Sequence, residues 1–211
     1  MGFTDLPELR RRLPRVIVGL ICLGTGIGLT VRARLGLSPW DVLHQGLAER
    51  LGVNFGFVVI GLGLLILLLW IPLRQRPGVG TVLNTLGVGL IADLVLEVTP
   101  RLDSLATRGA VMLFGVVIVA VGVGLYIGAG LGPGPRDGLM TSIAARGHPV
   151  WIVRTGLELS ALAAGWALGG TVGVGTVVFA VGIGPLGHWF LNRFHLGVDP
   201  GDPDPDATFG E

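Results

Sequence analysis

Apolar and charged residues are segregated along this chain: long uncharged stretches alternate with short clusters of arginine, aspartate and glutamate. Six apolar stretches, at about 14–35, 55–73, 79–98, 108–130, 150–169 and 174–193, approach the ~20 residues that an α-helix needs to cross a ~30 Å hydrocarbon layer. Two shorter and more polar segments, at about 39–51 and 135–146, fall between the first and second long stretch of each half. They are too short to cross comfortably and suit re-entrant or half-helices packed inside a bundle. The pattern predicts an all-α, polytopic membrane protein.

Composition strengthens that expectation. Of 211 residues 51% are hydrophobic and only 14% charged, with a mean hydropathy of +0.75, whereas about a quarter of an ordinary soluble domain is charged. The net charge of +1 comes without a basic face, which excludes a nucleic-acid footprint. Cys22, the single cysteine, lies in an apolar run, where it reads as a small packing residue and can form no intramolecular disulfide. Arg10-Arg11-Arg12 and Arg15 before Val16–Val31 imitate a signal peptide, but the run ends at Arg32 and Arg34 and not at a small-residue cleavage site. It is read as a retained first membrane helix with a cytoplasmic N-terminus.

The sequence is read as an internal duplication. A shift of 96 carries residues 19–50 onto 115–146 and matches Gly19, Gly26, Gly28, Leu29, Ala33, Leu35, Gly36, Pro39, Asp41, Leu43, Ala48 and Arg50 with identical residues. A shift of 95 carries Gly78-Val79-Gly80-Thr81-Val82 onto Gly173-Val174-Gly175-Thr176-Val177, and Gly87 and Gly89 onto Gly182 and Gly184. The chain thus divides into a cytoplasmic segment 1–13, membrane repeats 14–104 and 105–195, and a tail 196–211. Each repeat has three long helices and one short one. If the short segments re-enter, each copy crosses three times and the copies are inverted, as in transporters with broken helices; if they span, the copies are parallel. The Pro-led, polar character of the short segments favours inversion. The acidic, Pro-rich tail from Asp199 is expected to be disordered.

Candidate chemistry concentrates where the short segments begin. Gly36-Leu37-Ser38-Pro39-Trp40-Asp41 is echoed by Gly132-Pro133-Gly134-Pro135-Arg136-Asp137. Ser38 three residues before Asp41, with Pro39 between, has the spacing of a capped helix start. Both aspartates could therefore serve only as caps. Within a membrane they also mark a substrate or ion site, because polar groups are costly there. Trp40 opposite Arg136 makes the pair unsymmetrical: an indole wall on one side, a guanidinium for an anion on the other. The bland alternative is an interfacial tryptophan and a topology-setting arginine.

Further along, Asp93 corresponds to His188, a candidate proton or ion relay, or two groups at the membrane surface. Arg154 and Glu158 are four apart and should neutralise each other. Gly24-x-x-x-Gly28 and Ala120-x-x-x-Gly124 are read as packing surfaces. The repeated Gly-Val-Gly-Thr-Val is no phosphate loop; its glycines permit close approach or an unwound start, and its threonines bond locally. No metal-ligand cluster, cofactor motif or nucleophile elbow occurs, and an enzyme is not expected.

On Leu35, Gly36, Pro39, Trp40 and Asp41, followed by Gly78, Gly80, Thr81 and Asp93, the chain resembles the YczE/YyaS/YitT group of small bacterial membrane proteins over about residues 13–195. The resemblance implies an inner-membrane location and supplies neither substrate nor catalytic residues. The expected function is a secondary transporter or exporter of a small solute. Its site would comprise Ser38, Trp40, Asp41, Arg136 and Asp137, with Asp93 and His188 as relay candidates. The alternative is a non-transporting accessory subunit that meets its own copies or a membrane partner through glycine-rich faces.

Overall fold

A computed structural model describes residues 6–194, so the tail 196–211 and residues 1–5 of the predicted cytoplasmic segment lie outside the described residues. Eight helices make up the described chain, with no strand among them. They are α1 (Leu6–Ala33), α2 (Pro39–Leu51), α3 (Phe55–Leu73), α4 (Val79–Val98), α5 (Leu105–Gly128), α6 (Pro135–Ala144), α7 (Val150–Ala167) and α8 (Val174–Phe194). The expected long and short elements are all present. α1 starts earlier than the apolar run because Arg10–Arg15 continue the helix, and α6 ends at Ala144. Five helices, α1, α3, α4, α5 and α8, are long and apolar enough to cross a membrane. α7, at 18 residues and carrying Arg154 and Glu158, falls short of that set, although ~1.5 Å per residue still gives it about 27 Å.

Glycine spacing sets the helix directions. A β-carbon on Gly19 would lie 2.8 Å from Tyr126 N, and one on Gly26 2.7 Å from Gly115 O, so α1 and α5 cross antiparallel with their backbones nearly touching. Gly24 faces Val88 and Ile91 while Gly28 faces Ala92 and Val95, so α4 runs parallel to α1. Gly124 packs on Phe190, and α8 runs parallel to α5. The two small-residue motifs thus serve α1–α4 and α5–α8 packing, which lipid-solvated helices obtain from van der Waals contact alone.

Where the long helices end, the chain links across the molecule in two matching ways. Gly175 N donates to Leu35 O at 2.7 Å, and Gly80 N donates to Leu131 O at 2.8 Å. Thr176 Oγ1 accepts from Gly173 N at 3.2 Å and Thr81 Oγ1 from Gly78 N at 3.1 Å, the local threonine bonds anticipated for Gly-Val-Gly-Thr-Val. Gly36 and Gly132 make both approaches possible: each has a strongly positive φ, +116° and +112°, and each lies against the threonine hydroxyl of the other half. α2 leaves from the end where α1 finishes and returns to α3 at that same end. α6 does likewise at the opposite end, between α5 and α7.

Candidate functional site

α2 and α6 begin inside the bundle, and their first turns meet. Pro39 and Pro135 occupy the first helical position of each, preceded by extended Ser38 and Gly134. Ser38 Oγ accepts from Asp41 N at 3.3 Å and donates to Asp41 Oδ2 at 2.5 Å. The other Asp41 oxygen lies 3.3 Å from His44 Nδ1. Ser38, Asp41 and His44 are all buried, Asp41 to 2% exposure. This closed triad completes the cap, and His44 also stands edge-on to Phe55 at the start of α3.

The start of α6 differs. Gly134 offers no side-chain cap, and Asp137 accepts no hydrogen bond from any described residue. Arg136 Cζ lies 5.6 Å from the centre of the Trp40 ring, a cation–π contact that joins the two helix starts. Its guanidinium has no hydrogen bond and no carboxylate within ion-pair distance among the described residues. Trp40 Nε1–H is buried without an acceptor.

These groups face a cavity of about 620 Å³, lined by Trp40, Asp41, Asn84, Tyr126, Arg136 and Asp137 at its polar end. Leu23, Ile27, Val88, Val119, Phe179 and Ile183, near mid-length of α1, α4, α5 and α8, supply an apolar wall. Such a volume falls within the ~300–1,000 Å³ typical of small-molecule sites. Arg154 and Glu158, 2.9 Å apart, and His188 reach the same cavity from α7 and α8.

Of the residues singled out in the sequence, Ser38, Trp40, Asp41, Arg136 and Asp137 are brought together here. Asp93 is not. Its Oδ1 accepts the Gly56 N–H at 2.7 Å, joining α4 to α3, while His188 pairs with Asn192 at 3.0 Å. Asp93 thus lies in the α3–α4 seam, whereas His188 lines the cavity. Sequence reading missed Tyr126, whose hydroxyl donates to Gly132 O at 2.9 Å and fixes the approach to α6; as the one tyrosine, in an apolar run, it carried a signal. His44 was also missed, although i, i+3 spacing from Asp41 makes the pair legible.

A search of solved structures finds no match. Relatives of known sequence are clearer. An uncharacterized protein of Haemophilus influenzae is 38% identical over 178 residues, 84% of this chain and 82% of that one. The uncharacterized membrane protein YczE of Bacillus subtilis is also 38% identical, over 82% of both chains. YyaS of the same organism is 26% identical over 82% of this chain and 89% of its own. The YczE and YyaS resemblance noted from the helix-start motifs thus extends across most of the chain. Residues 10–192 match a family of unknown function, DUF6198, and the chain belongs to that family.

Proposed function

We propose that the protein is a secondary transporter or exporter of a small solute, built from two inverted copies of one membrane unit. The observation that carries this reading is the cavity at mid-length of the long helices, where two helix N-termini converge and Arg136 and Asp137 make no hydrogen bond or contact ion pair with any described residue. Helix N-termini within a bilayer attract anionic groups, and discontinuous helices of this kind hold substrate in transporters. No catalytic step is assigned to the chain. The antiparallel crossing of α1 and α5 and the matched Gly175–Leu35 and Gly80–Leu131 bonds support inversion, since a two-fold axis in the membrane plane relates such pairs.

Flux tests the site. Purified protein in proteoliposomes, screened against a panel of small organic solutes, should move at least one, and Asp137→Asn should slow that flux by about tenfold or more. Folded Asp41→Asn and Asp137→Asn variants that transport like the parent would remove the site. No flux from the parent would return the accessory-subunit reading.

Orientation is tested separately. With the N-terminus in the cytoplasm of a bacterial inner membrane, the α2–α3 turn faces outward and the α6–α7 turn inward. In a Cys22→Ser background, an impermeant maleimide should label Val53→Cys from outside the cell and His148→Cys only after the membrane is opened. Labelling of both positions from one side would exclude inverted copies.

A further inference from the structure

Two seams that correspond in sequence are built differently. Between α3 and α4 the backbones touch: a β-carbon on Gly56 would overlap the Gly89 carbonyl, and one on Gly63 would lie 2.9 Å from Thr85 Cγ2. The Gly56–Asp93 bond closes the same seam. α7 and α8 are not packed together in this way. By either offset, 95 or 96, Trp151 or Ile152 takes the place of Gly56, and Glu158 or Leu159 that of Gly63. A position that excludes even a methyl group cannot seal with side chains of that size. The cavity instead reaches Arg154, Glu158, Gly184 and Gly187 on these two helices, flanked by Trp151 and Val181, each 70% exposed. The opening is written into the second copy's sequence and is not one setting of a symmetrical hinge.

We infer that this slot is a lateral entrance from the bilayer and that the cavity takes an amphiphile with a zwitterionic head group. The inference rests on the transport reading above and names its substrate class. At the polar end, Arg136 and Asp137 face the cavity with no hydrogen bond or contact ion pair to any described residue, while Arg136 and Arg154 act on Asp137, and Arg136 on Asp41, only through space. Arg136 is half-buried and Asp137 is open to the cavity, so both can be reached by a ligand, and charges without a contact partner there favour one that bears both signs. The guanidinium, the unpartnered Trp40 Nε1–H and two helix N-termini suit the anionic moiety; the Asp137 carboxylate suits the cationic one. The Leu23–Ile27–Val119–Phe179 wall takes the apolar chain. At the slot, the Arg154–Glu158 pair lets a polar head pass without crossing bare hydrocarbon.

The test is equilibrium binding of radiolabelled dodecylphosphocholine, below its micellar range, to the protein in nanodiscs of phosphatidylglycerol. One saturable site per chain is expected. Dodecyl phosphate, dodecyltrimethylammonium and phosphocholine without a tail should each bind at least tenfold more weakly. Arg136→Gln and Asp137→Asn, each with a thermal midpoint near the parent's, should lose at least tenfold. In the Cys22→Ser chain, bridging Glu158→Cys to Gly184→Cys with a bifunctional thiol reagent should slow loading by at least tenfold. Equal binding of the tailless head group, equal binding of the amphiphiles that carry charge of one sign only, or unchanged loading of the bridged chain would overturn the inference. Flux of a solute without amphiphile binding would sink it and leave the transport reading standing. Amphiphile binding without flux would do the reverse.

Discussion

Replacing Gly138 with valine should lower the thermal midpoint of the purified protein by about 10 °C. A β-carbon on Gly138 would overlap the Trp70 indole, which is only 1% exposed. The ring cannot retreat easily, because its Nε1 donates to Pro135 O at 3.2 Å and Ile66 and Leu139 pack against it. Overpacking costs typically ~1–3 kcal/mol, and the upper end applies where both sides are held. At roughly 2–4 °C per kcal/mol for a chain of this size, about 3 kcal/mol gives the stated shift. Gly156→Ala is the control: nothing lies within 4 Å of its β-carbon, and its midpoint should hold or rise slightly. Trp70→Leu combined with Gly138→Ala should cost less than the sum of the two single changes, as expected of residues in contact. An unchanged midpoint for Gly138→Val would mean that α6 is not seated on α3.

That contact has a differently built counterpart between α2 and α7. Between α3 and α6 the Trp70 ring fills the space over Gly138; between α2 and α7, Gly165 lies against the α2 backbone at Val42 and Leu43. Shifts of 95 and 96 carry Trp70 onto Gly165 and Val42 onto Gly138, so one contact seats a ring on a glycine and the aligned one seats backbone on a glycine. Neither partner reveals this alone, because volume complementarity belongs to a pair that only the fold brings together.

The helices were legible because lipid demands continuous apolar runs and leaves every backbone bond within the helix. The short helices were legible because proline at the first turn and a serine or glycine before it are local signals. Convergence of their starts followed from the shared Pro-x-Asp, and it put Trp40 beside Arg136. What could not be read was which polar groups pair across elements. Asp93 and His188 align in sequence, yet Asp93 is held by a backbone N–H of α3 and His188 looks into a slot. Gly56, thirty-seven residues earlier, decides that difference by letting α3 approach. The missing α7–α8 seam is legible only once the α3–α4 seam is known to need glycine.

The two aspartates that the sequence presents as equivalents should part company when each is replaced by alanine. Asp41 at 2% exposure is the hub for Ser38 and His44, both buried. Its removal strands a hydroxyl and an imidazole where water does not reach, and each buried polar group left without a partner costs about 1–3 kcal/mol. Asp41→Ala should therefore shift the midpoint by about 10 °C or more and leave little folded protein at growth temperature. Asp41→Asn keeps an acceptor for the Ser38 hydroxyl and the helix start and should recover most of that loss. Asp137 supports nothing comparable: no described donor satisfies it, and its α6 cap is a glycine. Asp137→Ala should stay within about 1 kcal/mol of the parent, the range of a change that removes no bond, and still abolish flux. Thermal midpoints with flux assays on the same preparations decide the matter. If Asp137→Ala unfolds the chain as Asp41→Ala does, the second aspartate is a structural cap after all, and the cavity loses its anionic partner for a ligand.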